Sequence, residues 1–297
     1  MNITKLARNP RAMKALTGLS YQEFITLVPT FGKALTDLRL TRPHRIRKLG
    51  GGQKGKLPTI ETKLLFILLY IKTYPTFDVL AFFTDRNRGR CCESVHFFSK
   101  ALETALGRRL ALPERKIGSV EEFLQKFPEI RDVFLDGTER RVQRPRNKKH
   151  QNKLYSGKKK GTMRKNIILA DERRYILVLT PTKSGRRHDK RLADKLSLVQ
   201  RIPQAVGVWA DTGFQGITRV HDNAVIPTRA RKDHPLTYRE KEENHAISAF
   251  RVVVEHAIGG MKRLRCASDI YRNKKRNYDD RLMLLAAGLW NFHLQQT

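Results

Sequence analysis

The sequence predicts an α/β fold, a mixed sheet flanked by helices and preceded by an all-α region. Three observations carry this. Through residues 1–115 apolar side chains recur at helical spacing. After residue 115 short apolar runs closed by turn residues appear, and they give way to further helical patterns. Apolar residues make up 40% of the 297, enough for a real core in one large domain or two smaller ones. The expected division is 1–115 and 116–297.

In the first region, residues 1–40 hold short helical patterns. Ser20 and Glu23 have capping-box spacing before Phe24, Ile25, Leu27 and Val28, and Pro29 is expected to break or kink that helix. Residues 42–56 read as a flexible basic loop, because three consecutive glycines deny it regular structure. Thr59 precedes a helix whose stripe is Leu64, Leu65, Leu68 and Ile71, and Pro75 stops it. Thr76 caps a short helix with Val79, Leu80, Phe82 and Phe83, a polar turn spans Thr84–Arg90, and a third helix spans Cys91–Leu106. Two helices around a basic turn suggest a helix-turn-helix, with Arg86, Arg88 and Arg90 as DNA contacts. An ordinary helical bundle would show the same pattern; the basic turn favours the first reading.

In the second region, Val133–Leu135 leads as a buried strand into Asp136. Residues 140–165 carry twelve cations and no acid, among them Arg144, Arg146, Lys148, Lys149, Lys158, Lys159 and Lys160. A solvated face would interleave acids, so the tract is read as a nucleic-acid contact. Asn166–Ala170 and Tyr175–Thr180 flank a polar turn and form a strand pair. Residues 188–200 read as a helix, Val206–Asp211 as a strand buried on both faces, and Ala224–Pro227 as a short strand. Helices over about Tyr238–Leu264 and Tyr278–Leu294 complete the domain.

Composition narrows the function. Sixty Lys and Arg against 28 Asp and Glu leave a net charge of +32, which repels itself unless a polyanion neutralises it. Nucleic acid fits best; an anionic membrane would call for a basic amphipathic helix or polybasic tail, and neither is clear. The longest apolar stretches, Leu64–Ile71 and Leu282–Trp290, have eight and nine residues, against about 20 for a membrane span. The N-terminus lacks the apolar core of a secretory signal, so a soluble, cytoplasmic protein is expected. Cys91, Cys92 and Cys266 form no CxxC, which leaves free thiols in a reducing compartment. Nine histidines show no ligand spacing, so any metal must be held by oxygen.

The chemistry is expected at Asp136 and Asp211, each closing an apolar strand before a glycine-containing turn. Carboxylates placed there side by side are costly unless a divalent cation neutralises them, and Mg²⁺ works with carboxylates and phosphates. On the 238–264 helix, Arg251, Glu255 and Lys262 share one face at spacings of four and seven. An isolated Arg/Glu pair is usually a surface ion pair, but Val252-Val253-Val254 beside it argues for a buried helix, where a charged line needs a purpose.

Asp136, Asp211 and Glu255, 75 and 44 positions apart, resemble the catalytic acids of DDE transposases encoded by bacterial insertion sequences, in the group related to the Harbinger transposases. Arg251, Glu255 and Lys262 are similar to the signature around the third acid, although Ser248 stands where that signature often has tyrosine. Further matches are Tyr155–Lys160, His188-Asp189, Ala210–Gly216 and Val254–His256. The resemblance implies an RNase H-like catalytic domain after a helix-turn-helix region. It implies two Mg²⁺ ions (or Mn²⁺) held by Asp136, Asp211 and Glu255, with Arg251 and Lys262 on phosphates. The expected activity is cleavage at the element's terminal inverted repeats and strand transfer to target DNA by a homodimer, in a nucleoid-associated bacterial protein. The alternatives are an inert DNA-binding repressor and a structure-selective nuclease or resolvase.

Other acids are read as bystanders. Glu139 alternates to the opposite face from Asp136 and neutralises arginines, and Asp189 serves the macrodipole or cap of its helix. Asp171 and Glu172 belong to a turn, Trp209 to the core.

Overall fold

A computed structural model describes residues 3–41, 55–232 and 234–297. Most of the basic loop expected at 42–56 therefore lies outside the described residues. In chain order the elements are α1 (Ile3–Ala7), α2 (Pro10–Thr17), α3 (Tyr21–Leu40), α4 (Ile60–Thr73), α5 (Phe77–Thr84), α6 (Arg88–Arg108), α7 (Val120–Lys126), β1 (Asp132–Arg141), α8 (Lys148–Leu154), β2 (Tyr155–Ser156), β3 (Gly161–Ala170), β4 (Ile176–Leu179), β5 (Lys183–Ser184), α9 (Asp189–Lys195), β6 (Gly207–Ala210), β7 (Ala224–Val225), α10 (Tyr238–Lys262), α11 (Arg265–Ser268) and α12 (Tyr278–Leu294).

One compact unit is helical and comprises the chain to Leu112 with Met261–Asp269 and Lys275–Thr297. Its helix starts follow local rules. Ser20 and Glu23 form the reciprocal capping box of α3, and Thr59 and Thr76 cap α4 and α5. Gly18 ends α2 at φ 79°, a left-handed position where glycine is favoured. Pro29 does not end α3, contrary to expectation. It is exposed, and the only helical hydrogen bond it removes is the one to the Ile25 carbonyl. Burial of Phe24, Leu27, Phe31, Ala34 and Leu35 on the other face sustains the helix. Phe98 of α6 meets Phe31 and Phe66 edge-on.

The final helix was expected with the α/β domain but packs in this unit. Tyr278 shares a 2.8 Å hydrogen bond with Ser99, Asn291 donates to the Ala111 carbonyl (3.0 Å), and Arg281 pairs with Glu103. An apolar helix seeks any complementary face, and its place in the chain does not choose the partner. Removing residues 1–112 would strip α12 of these contacts, so the helical unit cannot be excised by cutting the chain once.

The second unit comprises Pro113–Gly260 with Ile270–Lys274. Its sheet runs β4-β3-β1-β6-β7, with β2 and β5 also on the outer edge of β3. β1 is antiparallel to β3 and parallel to β6, and β6 is parallel to β7. This curled mixed sheet with flanking helices has the RNase H-like arrangement. Period-two alternation sorts β1 onto two faces. Val133 and Leu135 join Ile167, Leu169, Val208, Leu192 of α9 and Phe123 of α7 in one core. Phe134 faces the other way, where Phe250 of α10 meets both its ring (5.3 Å) and that of Trp209 (4.5 Å). The Trp209 indole donates to Asp132 (2.6 Å), so Trp209 is packed as expected of a core residue.

Boundaries differ from expectation where pairing, not composition, decides. β1 continues through Asp136 to Arg141, because β3 accompanies it to Met163. The cationic tract is folded too: Arg140 is buried over the Tyr271 ring (4.7 Å), and Lys165 is buried in β3. The helix expected at 188–200 stops at Lys195, followed by Ser197 at φ 48°.

Candidate active site

β6 ends at Ala210, paired with Leu135 of β1, so Asp136 and Asp211 are the next neighbours along parallel strands. Asp136 is thus not at the end of its own strand, as expected, but at the point where β1 loses β6. Adjacent positions on parallel strands project to the same face. Each carboxylate accepts from a backbone N–H just after it in the chain: Gly137 donates to Asp136 (2.6 Å) and Gly213 to Asp211 (2.8 Å). Burial pushes the Asp136 carboxyl up to about 6; the Gly137 N–H opposes this, the Asp211 charge adds to it, and Arg251 opposes it.

α10 supplies the third contribution. Phe250 and Val254 seat it on the sheet, and Arg251, between them, is 8% exposed and close enough to bear on Asp136. Glu255, one turn further, is exposed. Among the described residues no three carboxylate, histidine or cysteine side chains lie close enough to hold one metal ion. Asp136 and Asp211 are brought together with Arg251 nearby; Glu255 is not brought into that cluster. Lys262, the last residue of α10, belongs to the helical unit.

The pair fits a hard divalent cation. Two carboxylates share a partly desolvated face, where a dication would offset the repulsion that raises Asp136. That face has unmet polar capacity: Thr138 Oγ1 and Arg251 Nε are buried without a hydrogen-bond partner.

The other predicted contacts fall in two places. Arg144, Arg146, Lys148, Lys149, Lys158, Lys159 and Lys160 are all exposed, around α8 and the β2–β3 turn. In the helical unit, Arg88 and Arg90 lie in the first turn of α6, which starts three residues earlier than expected because Asn87 caps it. Arg88 pairs with Asp78 (3.3 Å), Arg90 with Glu93 (3.2 Å), and Arg86 donates to Ser94 and lies over Phe66. Their charges are partly spent within the protein.

Two bystanders prove to be connected. Glu139 and Asp189 are bridged by Lys165, at 2.9 Å from each. Asp189 opens α9, so its charge lies in the first turn, where the macrodipole favours it as expected, and Glu139 pairs with Lys165. No signal in the sequence joins them, since the link needs the β1–β3 register that sets Glu139 opposite Lys165.

Comparison with known proteins places the chain in a family. The model of the DDE superfamily endonuclease family matches residues 135–291. A probable transposase for insertion sequence element IS702 from Microchaete diplosiphon is 30% identical over 285 residues, covering 96% of this chain and 95% of that protein. No solved structure matches the chain.

Proposed function

Because this chain belongs to the DDE superfamily endonucleases, we propose that it is an insertion-sequence transposase that binds its element's terminal inverted repeats, cleaves there and joins the ends to target DNA. The observation that carries the reading is the Asp136/Asp211 pair, side by side where β6 ends. With Glu255, these carboxylates would hold two divalent cations, Mg²⁺ or Mn²⁺, which supply charge neutralisation at the scissile phosphate and an acidified nucleophile. Arg251 would turn its unpartnered Nε–H to a phosphate oxygen, and Lys262 would add a point charge. Holding two ends together calls for a homodimer.

The direct test uses linear DNA carrying the sequences that flank this reading frame, with Mg²⁺ or Mn²⁺. Cleavage at the element's ends and joining to a second duplex are expected, and chelation should abolish both. Equal cutting of unrelated DNA would discard the transposase reading in favour of a nuclease.

The exposed tract makes its own prediction. Replacing Lys158, Lys159 and Lys160 by alanine should weaken DNA binding and flatten the slope of log K against log salt by up to about three units, near one per lost phosphate contact. Arg144, Arg146, Lys148 and Lys149 are proposed to share that surface. Affinity measured from low to moderate salt decides; an unchanged slope removes the turn from the interface. Arg86, Arg88 and Arg90 are proposed to contact DNA through the α5–α6 pair read as a helix-turn-helix.

A further inference from the structure

We infer that Lys165 and Asp189 are positioning residues for Asp136, forming a buried charge clamp behind β1 that fixes the strand against α9. The inference rests on the reading of Asp136 as a catalytic acid.

Asp136 stands where β1 loses one of its two neighbours. At Phe134 and Leu135 the strand is paired on both sides, with β3 and β6; from Asp136 onward only β3 remains. A carboxylate on a strand held from one side would drift, and misplacement by about 1 Å costs on the order of a hundredfold in rate. The second hold comes from the opposite face. There Lys165, 5% exposed, lies 2.9 Å from Glu139 Oε1 and 2.9 Å from Asp189 Oδ1, and it donates to the Arg187 carbonyl at 3.0 Å. The ammonium donates to that carbonyl and pairs ionically with the two carboxylates; Asp189 Oδ1 accepts no hydrogen bond, so its hold on Lys165 is electrostatic. Burial alone would lower the lysine's pKa, but the two carboxylates outweigh that and raise it, so the clamp stays charged. Ser156 secures the far end with its one O–H, shared between the two Glu139 oxygens (3.2 and 3.1 Å).

The near end meets β1 at the residue after Asp136. A Cβ at position 137 would lie 2.7 Å from Asp189 Oδ1, so the Asp189 carboxylate rests against the backbone of Gly137, and a larger residue there would displace it. Leu192 and Ala193 anchor α9 in the core below. A buried ion pair is a poor means of gaining stability, because apolar side chains of the same volume often do as well. Its value here is directional: it ties one helix to one point on the strand. Asp189 is no substitute metal ligand, since it lies on the face opposite Asp136, although its charge adds to the rise of the Asp136 carboxyl.

Two variants of the full-length protein test this. Asp189→Asn keeps the shape and removes the charge; Gly137→Ala keeps every charge and pushes the carboxylate away. Both should bind DNA with KM within about twofold of the parent, while kcat falls about 10–100-fold and Mn²⁺ affinity, read directly by electron paramagnetic resonance, weakens about tenfold. A purely structural role would lower the melting temperature and leave kcat and Mn²⁺ affinity of the folded protein unchanged, which overturns the inference. Should the parent neither bind Mn²⁺ nor cleave, the catalytic reading falls and takes the inference with it. A parent that does both, matched by both variants, sinks only the clamp.

Discussion

Asp136→Asn is expected to bind DNA at least as tightly as the parent, to cleave it at least about a thousandfold more slowly, and to melt higher above pH 7. The loss of cleavage follows from chemistry, since an amide cannot offer a cation the charge that a carboxylate does. Tighter binding follows from removing a negative charge where a phosphate must approach. The gain in stability follows from the Asp136 carboxyl, raised chiefly by burial from 3.8 to about 6 in the metal-free protein. The unfolded chain releases this proton near pH 4 and the native protein near pH 6, so between them the native state holds more protons. Stability must then fall as pH rises through that window, by about 3 kcal/mol once Asp136 is fully ionised. Asparagine never ionises and escapes the penalty. Calorimetric melts without metal should show the variant ahead at pH 8 and level with the parent at pH 4. Mn²⁺ should then raise the melting point of the parent and not of the variant, because a ligand stabilises only the state that binds it. A variant no more stable at pH 8 than at pH 4, relative to the parent, would mean that Asp136 is not the strained acid of this site.

How much of this was legible in the sequence depends on how local each cause is. Ser20, Thr59 and Thr76 announce helix starts because a cap needs only the next three residues. Asp136 and Asp211 stand out because each interrupts an apolar run, a local contrast. Pro29 misleads because α3 is sustained across it by burial of its other face, where Phe31 meets Phe98, which is distant in the chain. The extent of β1 is hidden for the same reason, since what keeps Gly137–Arg141 extended is the partner strand. The cationic tract reads as a uniform polyanion surface, yet Arg140 and Lys165 are buried within it. Alternation along β1 does separate Asp136 from Glu139 correctly. What it cannot supply is the occupant of the other face, which chain topology brings from β3 and α9.

That leaves the third acid, and Glu255→Gln should be the most informative substitution in α10. Glu255 is exposed, while Arg251, one turn earlier, is buried beside Asp136, and Phe250 and Val254 fasten the helix to the sheet. As no three candidate ligands are gathered among the described residues, a catalytic Glu255 must be drawn in when DNA and metal bind. The neutral variant should therefore be silent in the free protein. An exposed substitution of this kind changes stability by no more than about 0.5 kcal/mol, so its melting curve should overlay that of the parent. DNA affinity without metal should also be unchanged. Cleavage should nevertheless fall at least about a thousandfold, well below the 10–100-fold loss expected for Asp189→Asn, because a residue that holds the cation contributes more than one that positions its neighbour. The two losses should differ in kind as well. Raised Mn²⁺ should restore part of the activity of Asp189→Asn, whose ligands are intact but displaced, and little of that of Glu255→Gln, which lacks one. Near-parental cleavage by Glu255→Gln would exclude it as the third acid and leave Asp136 and Asp211 to be completed by another group.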